Sequence, residues 1–247
     1  MRLPFHRHSA RAITRTEVLV IVVLVLFLGT LSFYVGFMKQ SLAKTRAARV
    51  KCVGHNVMIG LSFRVWANDH DDKYPYFSPT NYSSPPTFTN PVYKNESDAW
   101  LYFVTMSNEV GSAKPLICPG DRERLNNMCV DFSSNSVPPN FGLQFQQNRG
   151  VSYFINLEAD ERTPQVLLTG DRDIQTNAWT VRGRVLFPDP SRPPTWLNRH
   201  HRGGGNASLS DGSVQQMTDA ALSHAIAQSQ AAIGPHRTNR LLLPLWP

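Results

Sequence analysis

Acidic residues are few in this chain, and the familiar signatures of catalysis are missing from it. The 247 residues hold 18 Asp+Glu against 25 Lys+Arg, a formal net charge of +7. No HExxH, GxSxG, P-loop or GxGxxG occurs, which removes the commonest zinc-protease, serine-hydrolase, nucleotide-phosphate and dinucleotide signatures. The three cysteines, Cys52, Cys118 and Cys129, form neither a CxxC nor a local Cys/His zinc spacing. A Cys118 to Cys129 bridge closes a short loop and suits an oxidising compartment, leaving Cys52 free, while Cys52 to Cys118 is equally allowed by arithmetic.

Charge is absent altogether from Val18 to Met38, 21 residues in a row. A helix rising about 1.5 Å per residue needs roughly 20 residues to cross a bilayer core, so this run predicts a membrane anchor. Glu17 stands at its start, where a bare carboxylate in lipid costs about 2.5 kcal/mol or more. About 180 to 200 residues then remain outside the membrane, enough for one globular head. Arg2, Arg7, Arg11 and Arg15 precede the run, and Lys39, Lys44, Arg46, Arg49 and Lys51 follow it. The basic excess therefore flanks a membrane span and implies no nucleic-acid partner. By the positive-inside rule alone, the second group would hold the head in the cytoplasm.

Past Met38 the helix is expected to continue to about Ala67, burying Val50, Val53, Val57, Leu61 and Val65, which recur at spacings of three and four. Asn68 to Pro75 is a polar turn whose acids lack the EF-hand spacing, and 76–95 reads as a long loop. Ser97 is a candidate N-cap for a short helix from Asp98 to about Met106. Strands are expected over Lys114–Cys118, Val151–Leu157, Gln165–Thr169 and Arg182–Phe187. Asp211-Gly212 marks a hairpin, Thr218 caps a last helix from Asp219 to about Gln230, and the Leu-rich tail folds back on the head. The fold class is α+β: a long N-terminal transmembrane helix packed on a small antiparallel β-sheet head.

Ala12-Ile13-Thr14-Arg15-Thr16-Glu17-Val18-Leu19 resembles the prepilin N-terminal cleavage and methylation motif, departing from it at Ala12, where Gly is usual, and at Arg15, where an apolar residue is usual. His201 and Asp211-Gly212, nine residues apart, resemble the His-x9-Asp-Gly motif of pilin-like proteins of planctomycetes and verrucomicrobia. Three further stretches share that likeness: Cys52 to Asp69, Met106-Ser-Asn-Glu with Ile117-Cys-Pro-Gly-Asp, and Ser152-Tyr-Phe with Leu168-Thr-Gly-Asp-Arg-Asp.

The resemblance implies a pseudopilin of the kind used in type II secretion. Residues 1–12 would be a cytoplasmic leader removed by prepilin peptidase between Ala12 and Ile13. Residues 13–38 would be the transmembrane half of the helix, 39–68 its periplasmic half, and 69–247 a pilin-like head. Thr14 and Glu17 would serve assembly, since an Ile13 ammonium on a neighbouring subunit would neutralise Glu17 inside an apolar bundle. The partners implied are copies of itself, other pseudopilins and the inner-membrane secretion platform, with the head periplasmic. The alternative is a non-polymerising, single-pass anchored binding module in which Glu17 reaches the headgroups.

His200, His201, Asp171, Asp173 and Asp211 are the best candidates for a polar cluster. They suggest either calcium held by Asp171, Asp173 and Asp211 or a His-Asp pair serving a nucleophile. The simpler expectation is no cofactor and no catalysis: Asp211 and Gly212 form a turn, and His201 ties the glycine-rich loop to a strand.

Overall fold

The computed structural model describes residues 14–76, 98–175, 180–182, 185–188, 192, 194–197 and 199–245. Ala12, Ile13 and Ser97 lie outside the described residues. The chain divides into two compact units, 1–46 and 47–247, and helix α1 (Arg15–Asn68, 54 residues) contributes to both.

In the first unit the helix opens on a capping box. The Glu17 N–H donates to Thr14 Oγ1 at 3.3 Å, and the Thr14 N–H donates to Glu17 Oε2 at 2.8 Å. Two backbone donors left over by the first turn are thereby satisfied. Every side chain from Val18 to Met38 is exposed, so nothing among the described residues of this unit covers an apolar surface long enough to cross a membrane.

In the second unit α1 is half buried, though not on the expected face. Cys52, Asn56, Ile59, Phe63, Trp66 and Ala67 point into the core, whereas Val50, Val57, Leu61 and Val65 are exposed and Val53 is intermediate. The helix carries two apolar stripes, and the one bearing Phe63 and Trp66 offers more area to bury. The helix ends where Asp71 and Asp72 adopt positive φ, 56° and 57°. Asp tolerates that left-handed conformation better than most residues.

Two short helices follow, α2 (Ala99–Thr105) and α3 (Ser107–Val110). Residues Lys114–Leu116 form a 3-10 turn rather than the expected strand. Pro115 fixes φ and lacks the N–H that a ladder needs. Strands β1 (Cys129–Asp131) and β2 (Phe141–Gly142) form a small parallel pair, followed by helix α4 (Leu143–Gln146).

The main sheet is built from β3 (Tyr153–Asn156), β4 (Leu167–Asp171), β5 (Thr180–Arg182), β6 (Val185–Phe187), β7 (Gly205–Leu209), β8 (Val214–Met217) and β9 (Leu241–Leu242). Helix α5 (Asp219–Ile233) lies between β8 and β9 in the chain, and Thr218 Oγ1 accepts from the Ala221 N–H at its start. The sheet order is β5-β6-β9-β3-β4-β7-β8, and all pairs are antiparallel.

Both faces of the central strands are covered. Tyr153, Ile155 and Leu168 join Ile59, Phe63 and Phe103 in one core. Phe154, Leu167 and Ala207 join Leu222, Ala225 and Ile226 of α5 in another. This split follows from the alternation of side chains along a strand. The sheet is thus a middle layer, larger than expected, and the tail does more than fold back. Leu241 and Leu242 form β9, inserted between β3 and β6.

Candidate functional site

The ends of β3 and β4 and the chain entering β7 enclose a buried polar cluster. Its first centre is Asp121, delivered by the turn Cys118-Pro119-Gly120-Asp121, which the Asp121 N–H closes by donating to the Cys118 carbonyl at 2.9 Å. Asp121 Oδ2 accepts from Ser152 Oγ at 2.8 Å and from Arg172 Nε at 2.8 Å. Its Oδ1 accepts from Arg172 Nη2 at 3.0 Å and lies 3.2 Å from His200 Nε2. Burial pushes this carboxyl up, but His200 and Arg172 outweigh burial and hold it well below the usual carboxylate range. Arg172 also reaches Glu123 at 2.6 Å.

The second centre is Asp173, whose Oδ2 accepts the backbone N–H groups of Arg199 at 2.6 Å and His200 at 3.1 Å. This pair of bonds fixes the loop that presents both histidines.

The third centre pairs His201 with Asp171. Asp171 Oδ2 accepts from the Asn206 backbone N–H at 2.7 Å and from its Nδ2 at 3.0 Å, and lies 3.4 Å from His201 Nε2. Burial raises the Asp171 carboxyl to about 7 against the lowering effect of Asn206. Burial, then the neighbouring His200 and Arg49, lower His201 to about 4. Among the described residues, Asp171 Oδ1, His201 Nδ1 and the Tyr153 hydroxyl are buried with no hydrogen-bond partner.

His201 Nε2 also lies 3.3 Å from Cys118 Sγ. That sulfur is bonded to Cys52, which corrects the expected Cys118 to Cys129 bridge; Cys129 is free and buried. Cys52 faces the core one turn before Asn56, so the helix itself brings its sulfur to the Cys118 turn. Burial pushes the Cys129 thiol up to about 12, with Asp131 adding to the effect, and so keeps it protonated.

Two glycines make room for this packing. A Cβ on Gly120 would lie 2.6 Å from the His200 carbonyl oxygen and 2.7 Å from His201 Cε1. Gly204 has φ +148°, and a Cβ there would meet the Met217 carbonyl oxygen at 2.1 Å.

Asp211 takes no part in the cluster. It is exposed at the β7–β8 turn, where its Oδ1 accepts the Ser213 N–H at 2.8 Å and Gly212 adopts φ +85°. Leu167 pairs with Leu209 and Gly170 with Ala207, so Asp171 and Asp211 stand at opposite ends of the β4–β7 ladder, more than about 13 Å apart along the strand. The nine residues between His201 and Asp211 span the lead-in to β7 and the strand itself. Asp171, Asp173 and Asp211 therefore do not converge on one cation, and His201 has Asp171 as its carboxylate neighbour.

Sequence reasoning passed over Asp121, Ser152, Arg172 and Asn206 as site residues. Asn206 looks like a glycosylation acceptor, Asn-Ala-Ser, yet it is fully buried. Ser152 Oγ donates to Asp121 rather than to an imidazole, so it lacks the base contact that activates a hydroxyl nucleophile. The arrangement can bind the loop, the turn and the strand ends to one another, and it places an imidazole against a disulfide. Comparison with models of known families, with curated proteins and with solved structures finds no match.

Proposed function

We propose that the chain is a pilin-like structural subunit, a pseudopilin that is cut between Ala12 and Ile13 and assembled through its N-terminal helix into a filament. Its setting is the bacterial inner membrane with the head in the periplasm, and its partners are further copies, related pseudopilins, prepilin peptidase and the secretion platform. It acts mechanically.

The observation that carries this reading is the apolar surface left open on α1. The first unit exposes the whole of Val18–Met38, and the second exposes Val50, Val57, Leu61 and Val65 beside a well-packed core. Lipid accounts for the former. A stripe of exposed Val and Leu on a helix outside the membrane asks instead for a protein surface. The disulfide between Cys52 and Cys118 supports an oxidising compartment for the head.

The anchored-module alternative draws on one specific observation. Thr14 satisfies Glu17 within its own helix, so the carboxylate is hydrogen-bonded without a second subunit. Mass spectrometry of the mature N-terminus separates the two. A chain beginning at Ile13 is expected for the filament subunit, and an intact Met1 contradicts it.

A further inference from the structure

The Cys52–Cys118 disulfide sits in surroundings that a plain cross-link does not require. His201 Nε2 is 3.3 Å from Cys118 Sγ, and Sγ of both cysteines and a ring nitrogen of His201 lie within 4.8 Å of one another. All three residues are buried. They come from α1, from the turn after Leu116 and from the loop before β7, which is why no local spacing betrays them. Asp171 Oδ2 lies 3.4 Å from the same Nε2, beside the three mutually close donors rather than among them. The other Asp171 oxygen and His201 Nδ1 are buried without hydrogen-bond partners among the described residues, so hydrogen bonding there does not exhaust what this pair offers.

We infer that the reduced form of this cysteine pair, with His201, is a binding site for a thiophilic divalent ion of the zinc type. Zinc–sulfur bonds of about 2.3 Å and zinc–nitrogen or zinc–oxygen bonds of about 2.0–2.2 Å set tetrahedral donors roughly 3.4–3.8 Å apart. The separation between Cys118 Sγ and His201 Nε2 already stands near those values, and the Cys52 sulfur is within 4.8 Å of the same three-residue group. The two sulfurs must move apart, and breaking their bond releases them to do so.

The chemistry balances with a phosphine or dithiol as reductant. Two electrons and two protons convert the disulfide to two thiols: a phosphine gives the electrons while water supplies both protons and the oxygen of the phosphine oxide, and a dithiol gives both electrons and protons and closes to a cyclic disulfide. Each thiol then loses its proton as its sulfur binds the ion, whose oxidation state does not change. Bridge and metal site are thus exclusive states of the same residues, and both tie α1 to the Cys118 turn. The ion adds His201, and with it the loop entering β7, to that tie.

Cobalt(II) titration of the full-length chain in detergent tests this, with a Cys129→Ser background to remove the third thiol. After phosphine reduction, one Co²⁺ per chain is expected, with a thiolate-to-cobalt charge-transfer band and tetrahedral d–d intensity that Zn²⁺ abolishes. The oxidised chain should show neither band. His201→Gln should weaken binding about tenfold or more, whereas His224→Gln, on the exposed face of α5, should not. A reduced chain that keeps its circular dichroism yet shows no cobalt band overturns the site, as does a band indifferent to His201→Gln. If reduction melts the head, recovery of structure on adding Zn²⁺ supports the site, and failure to recover overturns it.

Discussion

One helix meets two environments in this chain, and the contrast between them is instructive. From Val18 to Met38 every side chain is apolar or uncharged and exposed, and local hydrogen bonds among Thr14, Thr16 and Glu17 order its start. From Ala47 onward the same helix is fixed by long-range contacts: a disulfide to Cys118, ring packing of Phe63 on Phe103 at 6.4 Å, and an Arg64 hydrogen bond to the Asp211 carbonyl. Composition alone makes the first region a helix long and apolar enough to cross a membrane. The second is positioned by partners far away in the chain, so damage to the head should leave the anchor intact.

The largest effect is expected at Asp121. Asp121→Ala leaves Arg172 and His200 facing an emptied buried site, and should cost about 3–5 kcal/mol of head stability in chemical denaturation, with membrane partitioning unchanged. Because the Asp121 carboxyl sits below its ordinary range when folded, its stabilisation is fully present above the unfolded-state value. It should fade as pH falls through the acid range towards the folded value. Asp121→Ala should therefore flatten the acid limb of the wild-type stability profile.

Cys52→Ser ranks next, since the bridge joins residues 66 apart; a loss of about 2–4 kcal/mol is expected. Cys129→Ser should not reproduce that loss, a difference that non-reducing peptide mapping can attribute to the pairing itself. Gly204→Ala should cost about 1–3 kcal/mol, because the left-handed conformation and the Met217 carbonyl both oppose a side chain there. Thermal melts of the head would register it.

The smallest effect on stability is predicted on the open face. Val57→Ser and Leu61→Ser should move the unfolding free energy by no more than about 0.5 kcal/mol, yet reduce self-association in cross-linking. Substantial destabilisation there would mean that the face is already covered within the head.

How much of this could be read from the chain depended on whether the cause was local. The charge-free run, the Thr218 cap and the Asp211-Gly212 turn act over a few residues, and each lies where its chemistry predicts. The capping box is equally legible in Thr14-x-x-Glu17, a hydroxyl followed three residues later by a carboxylate at the start of an apolar run. The buried face of α1 was not legible, because two apolar stripes share the same period and only the rest of the fold decides between them. Nor was β9, as two leucines in a run of three say nothing about insertion between β3 and β6. The stretches Ile117-Cys-Pro-Gly-Asp and Leu168-Thr-Gly-Asp-Arg-Asp held Asp121, Asp171 and Arg172 in view. Their meeting with His200 and His201 required the topology.

The claim that most needs testing is that Glu17 serves a second subunit as well as its own helix. Glu17→Gln separates the two roles, since Gln at this position can still complete the capping box while carrying no charge. Measured by cross-linking in native membranes, the variant should insert and remain helicoidal in its anchor but lose its homotypic products. Cross-linking equal to wild type would contradict the filament and leave a tethered monomer.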